Sequence, residues 1–349
     1  MDKRNVDIVL ARMDKIGDLV VSLPVDEHPV FQGARVHWFI SSGLGFVTSQ
    51  AAPAREFSEF KRSFSFTEYR RMVRWLKDNK PRTIVMMHTP WWVSMAAWWA
   101  GVPERMGRLS QWHSFLFMNL GIRQKRSESD RHESDFNFDL VEGAFNRLGV
   151  RHADNLPQVK NTFLRLVPPN PAATLAKHSL PAHGYRVVHP GMFGSALNWP
   201  ADLYIQLVEK LSAETPVIIT GTKTDAQYLK QLESLRGKPN VRWMLDELKI
   251  LELLDVLAQA RSVVAPSTGV LHLAASLGTP AIGIYSPRKV EHPRRWGPRG
   301  PRVTYLIPKT EDREGLTADV MREITADQVL AKVHELERGQ SASSTHAHP

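Results

Sequence analysis

"SVVAPSTGVLHLAASLGTPAIGIYSP", residues 262–287, holds a strand, a turn, a helix and a second strand in one run. "SVVA" is apolar and of strand length. Pro266 and Ser267 turn the chain, and "TGVLHLAASLG" reads as a helix that Gly278 ends. Residues 280–285 are apolar again. Buried strands that alternate with helices need a parallel sheet covered on both faces.

Working outward, the same alternation recurs along the chain. Residues 6–11, 34–40, 83–87, 185–189 and 216–220 read as further buried strands, and 67–78, 136–148, 201–213 and 248–260 as amphipathic helices. "LVPPNPAATL" (166–175) crowds three prolines into four residues and reads as a linker. With 349 residues, two α/β domains of similar size are the expectation. Ligands of such sheets gather at the carboxyl ends of the strands, and two such edges can face across a cleft.

The net charge of +9, with a pI near 9.7, favours anionic partners. Residues 1–168 hold 24 Lys+Arg against 18 Asp+Glu, or +6; the remainder holds 21 against 18, or +3. The basic excess leans to the N-terminal half. The absence of cysteine excludes disulfides and thiolate metal sites. "MDKRNVD" is charged and the first apolar run is short, so no secretory signal is expected and a cytoplasmic location follows. "TIVMMHTPWWVSMAAWWAGVP" (83–103) is broken by His88 and Pro90 into pieces too short to span a bilayer. Its tryptophans fall at helical spacing and suit a buried core helix or a membrane-touching face. "RQKRSESDRHESD" (123–135) reads as a solvated loop, or as a basic face for an acidic acceptor. Thr325 and Gln328 fit a capping box that opens the last helix, and "QSASSTHAHP" after Gly339 reads as a disordered tail.

Three strand-to-helix turns carry small polar residues. In "PSTG", Thr268 and Gly269 fall at a helix N-terminus, where free N–H groups and the dipole favour an anion. An ordinary cap is the other reading. "HPGMFGSALNWP" (189–200) and "ITGTKTDAQ" (219–227) have the same form, and together the three turns suit a nucleotide diphosphate. No Asp-x-Asp pair occurs, and an essential metal is not indicated. In "RMDKIGDLVV" (12–21), Asp18 follows Gly17 between two apolar runs, as a helix N-cap or as a functional acid.

"RMDKIGDLVVSLPV", "HPGMFGSALNWPADLY", "ITGTKTDAQ" and "PSTGVLHLAASLGTPAIGIYSP" resemble, in order, the four signature blocks of the bacterial lipopolysaccharide heptosyltransferases, glycosyltransferase family nine. The resemblance spans residues 12–287 and implies the GT-B fold, two Rossmann-like domains facing across a cleft. The implied domains are 1–167 for the acceptor and 183–315 for the nucleotide sugar, joined by a linker at 168–182. A helical segment at 316–338 would pack back toward the N-terminal domain, ahead of a disordered tail at 339–349. The implied chemistry is inverting, metal-independent transfer of heptose from ADP-heptose to a lipid-linked inner-core saccharide, with no cofactor.

Carried over by position, the resemblance makes Asp18 the general base, which an acceptor hydroxyl needs as it attacks the anomeric carbon. Thr268, Gly269 and His272 match diphosphate-contacting positions, and Ser267 stands where many members have aspartate. Asp225 matches a nucleoside-binding glutamate, Leu248 a backbone contact to the base, and Ser195 and Thr222 belong to the donor loops. Leu197 stands where many members carry a phosphate-binding lysine. Lys15, Arg62, Arg105 and Arg108 are the acceptor candidates, since arginine forks suit carboxylates and phosphates. A lipid-linked acceptor also implies peripheral contact with the anionic cytoplasmic face of the inner membrane. Two other readings are a GT-B transferase using a different sugar nucleotide and a non-catalytic binder that kept the fold. Nucleic-acid binding rests on charge alone, and no recognition motif supports it.

Overall fold

The computed structural model describes residues 6–128, 130–149, 162–191 and 196–344. The chain divides into two compact units, Met1–Leu164 and Arg165–Pro349.

The first unit runs β1 (Ile8–Arg12), α1 (Ile16–Ser22), β2 (Val36–Ser41), α2 (Gly45–Ser49), β3 (Phe57–Phe60), α3 (Phe66–Asn79), β4 (Thr83–His88), α4 (Trp91–Trp99), β5 (Glu104–Arg108), α5 (Trp112–Phe117), β6 (Leu120–Ile122) and α6 (Glu133–Arg147). Its six strands form one parallel sheet in the order β3-β2-β1-β4-β5-β6. All five residues of β1 are buried, which a strand with helices on both faces requires. α3 is capped by Ser65, whose Oγ accepts from Glu68 N at 3.2 Å, and buries Met72, Val73 and Leu76 while its charged residues face outward.

The second unit runs α7 (Pro171–His178), β7 (Arg186–Val188), α8 (Ala201–Glu214), β8 (Val217–Gly221), α9 (Ala226–Leu229), β9 (Val241–Leu245), α10 (Ile250–Ala258), β10 (Val263–Pro266), α11 (Gly269–Ser276), β11 (Ala281–Ile284), α12 (Pro293–Trp296), β12 (Val303–Leu306) and α13 (Ala326–Ser344). Its sheet is parallel in the order β12-β11-β10-β7-β8-β9, the first unit's winding read from the other edge. α11 ends where expected: Gly278 takes φ +77, a left-handed conformation that releases the chain toward β11. Two Rossmann-like sheets are the fold that the sequence implied.

Three expectations change in detail. The segment 168–182, expected as a linker, carries a helix. Pro171 opens α7, Asn170 Oδ1 accepts from Ala173 N at 3.3 Å, and Thr174 Oγ1 donates to Asp255 Oδ2 at 2.7 Å on α10. A proline in the first helical turn costs nothing, because that N–H has no helical partner. The buried face of α13, with Val329 and Val333, lies in the second unit's own core beside α8. Its Thr325–Gln328 capping box is made in both directions, at 2.8 and 3.2 Å. Residues 339–344, assigned to the tail, continue that helix. The expected loop at 123–135 contains two deeply buried charges, Arg126 and Glu133.

Candidate functional site

In doubly wound sheets, ligands collect outside the carboxyl ends of strands where the strand order reverses. In the first unit that point lies between β1, which ends at Arg12, and β4, which ends at His88. Met13 N–H donates to His88 O at 3.0 Å and ties the two ends together.

Arg12 is 1% exposed and holds three carboxylates. Its Nη2 donates to Asp18 Oδ1 at 2.7 Å, its Nη1 to Glu133 Oε1 at 3.0 Å, and its Nε lies 3.0 Å from Asp14 Oδ2. Arg126 also pairs with Glu133. Burial works against the Arg12 charge, but Asp18, Glu133 and Asp14 outweigh it and hold the guanidinium above its usual pKa. Arg126 goes the other way, since burial lowers it more than Glu133 raises it. Burial raises Asp14, against the pull of Arg12, and burial lowers His88, whose Nδ1 is 3.6 Å from Asp14. Arg62 Nη2 reaches Asp14 Oδ1 at 3.4 Å.

Exposure separates the three acids. Glu133 is 2% exposed, Asp14 7% and Asp18 19%, so Asp18 is the most exposed of the three. It does not cap α1. The helix begins at Ile16 with Lys15 in the cap position, and Asp18 sits in the first turn. There the helix dipole favours its charge, and Arg12 fixes one oxygen. Among the acceptor candidates, Arg62 belongs to this cluster, and the charge of Arg108, at the end of β5, acts on both His88 and Arg126. Lys15 is exposed beside them in sequence. Arg105 is committed elsewhere: its Nε donates to Phe117 O at 2.7 Å and its Nη1 to Val102 O at 2.5 Å, which ties down the chain around β5.

The second unit reverses its strand order between β7 and β10. Past β10, Ser267 and Thr268 lead into α11, and Thr268 occupies the N-cap position without making a side-chain cap bond. Its Oγ1 is buried and has no hydrogen-bond partner among the described residues. Gly269 begins the helix, and His272, 5% exposed, lies one turn further in. Past β7, His189 Nδ1 sits 3.0 Å from Thr220 Oγ1, and burial lowers its pKa to about 4, so the ring is neutral at pH 7. The next turn comes so close to Asp225 that a Cβ on Gly191 would overlap the carboxyl group.

Asp225 is buried beyond β8, and its Oδ2 accepts from Thr222 N at 3.1 Å and from Thr222 Oγ1 at 2.8 Å. These two predicted donor residues therefore cap each other locally. Leu248 is half-buried just before α10. Leu197 packs against the hydrophobic core, and its N–H donates to Glu291 Oε2 at 3.1 Å. Ser195 lies outside the described residues. Arg12, Asp14, His88, Glu133, Arg126 and His189 were missed. The available signal for Arg12 was a charge closing an otherwise apolar strand, four residues after Ile8. Among the described residues no helix is long and apolar enough to cross a membrane.

Comparison with known proteins gives consistent findings. The family described as glycosyltransferase family 9 (heptosyltransferase) matches residues 70–318. A Haemophilus influenzae protein provisionally assigned as a glycosyltransferase is 24% identical over 83% of this chain and 85% of its own length. Lipooligosaccharide heptosyltransferase 2 of the same organism is 26% identical over 55% of this chain and 60% of its own length. Among solved structures, the ADP-heptose lipopolysaccharide heptosyltransferase II of E. coli superposes with a TM-score of 0.78 at 18% identity, covering 96% of this chain and 99% of that one. The family 9 glycosyl transferase of Veillonella parvula gives 0.76 at 17% identity, again over 96% and 99%.

Proposed function

The chain belongs to glycosyltransferase family 9, the heptosyltransferase family, and on that premise we propose that it transfers heptose from ADP-heptose to an inner-core saccharide of lipopolysaccharide with inversion. The observation that carries this reading is Asp18, the one partly exposed acid of a buried cluster, oriented by Arg12 at the strand-order switch.

In the proposed reaction an acceptor hydroxyl attacks the anomeric carbon on the face opposite the diphosphate. The new C–O bond forms as the anomeric C–O bond to phosphate breaks, and the hydroxyl proton passes to Asp18. ADP departs carrying the electron pair of the broken bond. Thr268 Oγ1 and the first N–H groups of α11 stabilise the charge developing on the diphosphate, since an anion there supplies the buried hydroxyl's missing partner. The step needs no metal or cofactor. Arg62, Arg108 and Lys15 supply cationic contacts for an anionic saccharide. Because that acceptor is lipid-linked, the enzyme works at the cytoplasmic face of the inner membrane.

Leu197 and Ser267 favour a second reading, a different sugar nucleotide. A leucine packed into the core cannot contact a phosphate. Calorimetric titration with ADP, UDP and GDP, followed by NMR of the product anomer, decides between them. Preference for ADP and an inverted anomer support heptose transfer from ADP-heptose. Preference for UDP or GDP, or retained configuration, overturns it.

A further inference from the structure

The first unit carries a ribbon of aromatic rings that the proposed chemistry does not use and of which only Tyr69 packs against the core. Phe66, Tyr69, Phe64, Trp91 and Trp112 contact one another in series, with ring centroids 6.5, 6.4, 5.3 and 6.2 Å apart. Phe66 is 66% exposed, Trp112 61% and Phe64 48%, which is far from the burial that rings of this size normally find. Folding of this unit does not explain them. α4 itself is divided: Trp92 is buried, whereas Trp91, Trp98 and Trp99 are exposed.

The ribbon has a definite place. α3, α4 and α5 each follow a strand of the parallel sheet, so their N-termini emerge at its carboxyl edge. Phe66, Trp91 and Trp112 are the first residues of those three helices. The same edge carries Asp18. Trp92 Nε1, next in sequence to Trp91 on α4, donates to Arg62 O at 3.2 Å, and Arg62 reaches Asp14, so the helix that carries Trp91 is tied to the acid cluster.

Its flank is basic. Between residues 61 and 78 lie Lys61, Arg62, Arg70, Arg71, Arg74 and Lys77 against Glu68 and Asp78, six minus two, a net +4. The Arg70 guanidinium lies 5.8 Å from the Phe66 ring. α4 and α5 contain no acidic or basic residue besides His113. Aromatic rings bordered by Lys and Arg suit the headgroup zone of an anionic bilayer, where the rings enter the interface and the cations meet lipid phosphates. A second copy of this chain fits poorly, since it would bring two +4 flanks together.

We propose that this ribbon docks the first unit on an anionic membrane and so presents the carboxyl edge with Asp18 to the lipid-linked acceptor. The proposal deepens the functional reading above by naming the surface, and it rests on that reading for its purpose. The test uses the full chain and vesicles of phosphatidylglycerol and phosphatidylethanolamine, with phosphatidylcholine vesicles as control. Co-sedimentation should occur with the anionic vesicles and weaken in high salt, and brominated lipid should quench tryptophan fluorescence. The triple variant Phe64→Ser, Phe66→Ser, Trp112→Ser alters only exposed side chains. It should melt like the wild type and lose about tenfold or more in partitioning. Arg70→Gln with Arg74→Gln and Lys77→Gln should remove most of the preference for anionic lipid. Transfer to a delipidated acceptor should be unchanged in the triple variant. If no protein shows transfer, the functional reading fails while the vesicle result still decides the surface. Absence of vesicle binding, or undiminished binding by a folded triple variant, overturns the proposal. So does a wild-type dimer that the triple variant dissolves, which would assign the ribbon to a second copy.

Discussion

Replacing Arg12 by methionine keeps an unbranched apolar stem and removes the guanidinium and its charge. The structure sets the consequence. Arg12 is 1% exposed and is the shared partner of Asp14, Asp18 and Glu133 at 2.7 to 3.0 Å. Arg126 still pairs with Glu133, but among the described residues Asp14 keeps only the exposed Arg62 and His88. Breaking a buried pair by removing one member costs about 3–5 kcal/mol, because the remaining charge stays buried. For a unit of this size each 1 kcal/mol moves the midpoint by about 2–4 °C, so the first unit's transition should fall by about 6–20 °C. The deficit should depend on pH. Burial already raises the pKa of Asp14, and removing Arg12 raises it further. A carboxyl whose folded pKa exceeds its unfolded value weakens the fold when ionised, and that penalty fades as pH falls toward about 4. The gap between variant and wild type is therefore widest near pH 8 and narrows in acid. Arg12→Lys, which keeps a charge but not the three-way fork, should recover part of the loss. Calorimetric melting across pH measures all of this. A midpoint for Arg12→Met within 2 °C of wild type at pH 8 would refute the reasoning.

His189 is held neutral by burial, with a folded pKa of about 4. Between that value and its ordinary 6.5 the unfolded chain binds the extra proton. Its contribution is thus complete above pH 6.5, is lost as pH falls through 4, and reaches at most about 3 kcal/mol. The second unit's midpoint should drop on acidification, and less steeply in His189→Gln; equal slopes would contradict this. Thr268→Val removes a buried hydroxyl that has no partner among the described residues. ADP affinity should fall by the roughly 1.5–3 kcal/mol of a hydrogen bond to a charged group while the unliganded melting point holds; calorimetry showing unchanged affinity would remove phosphate from this helix end. Gly191→Ala forces a methyl group into the Asp225 carboxyl and should cost about 1–3 kcal/mol in the second unit; an unchanged melting point would show that the turn shifts freely.

What the sequence disclosed follows from which residues are buried. The central strands β1, β4, β7, β8, β10 and β11 are apolar runs with helices on both faces, and their composition announces them. β3 "FSEF", β5 "ERMGR" and β9 "VRWML" carry charges and are partly exposed, so no apolar run marks them. β5 was hidden further because its arginines read as ligands for an acceptor. α7 was concealed by the prolines around it, although a proline at the first turn is compatible with a helix. Within the site, Asp18 and Thr268 stood out because turn residues carry local signatures. Arg12 did not, because its partner Glu133 is 121 residues away and only the folded sheet brings them together. The same distance explains why 123–135 read as solvent-facing.

The proposed chemistry depends on Asp18 taking the acceptor's proton, and single-turnover transfer by Asp18→Asn tests this most directly. The substitution keeps size and shape, and an amide cannot accept that proton. Transfer from ADP-heptose to a soluble acceptor should slow by about 10² to 10⁴. ADP affinity should hold, because its proposed contacts lie in the second unit, and circular dichroism should report a folded protein. A folded Asp18→Asn enzyme that binds ADP and transfers within a fewfold of the wild-type rate would contradict the assignment and leave Asp18 as a structural partner of Arg12.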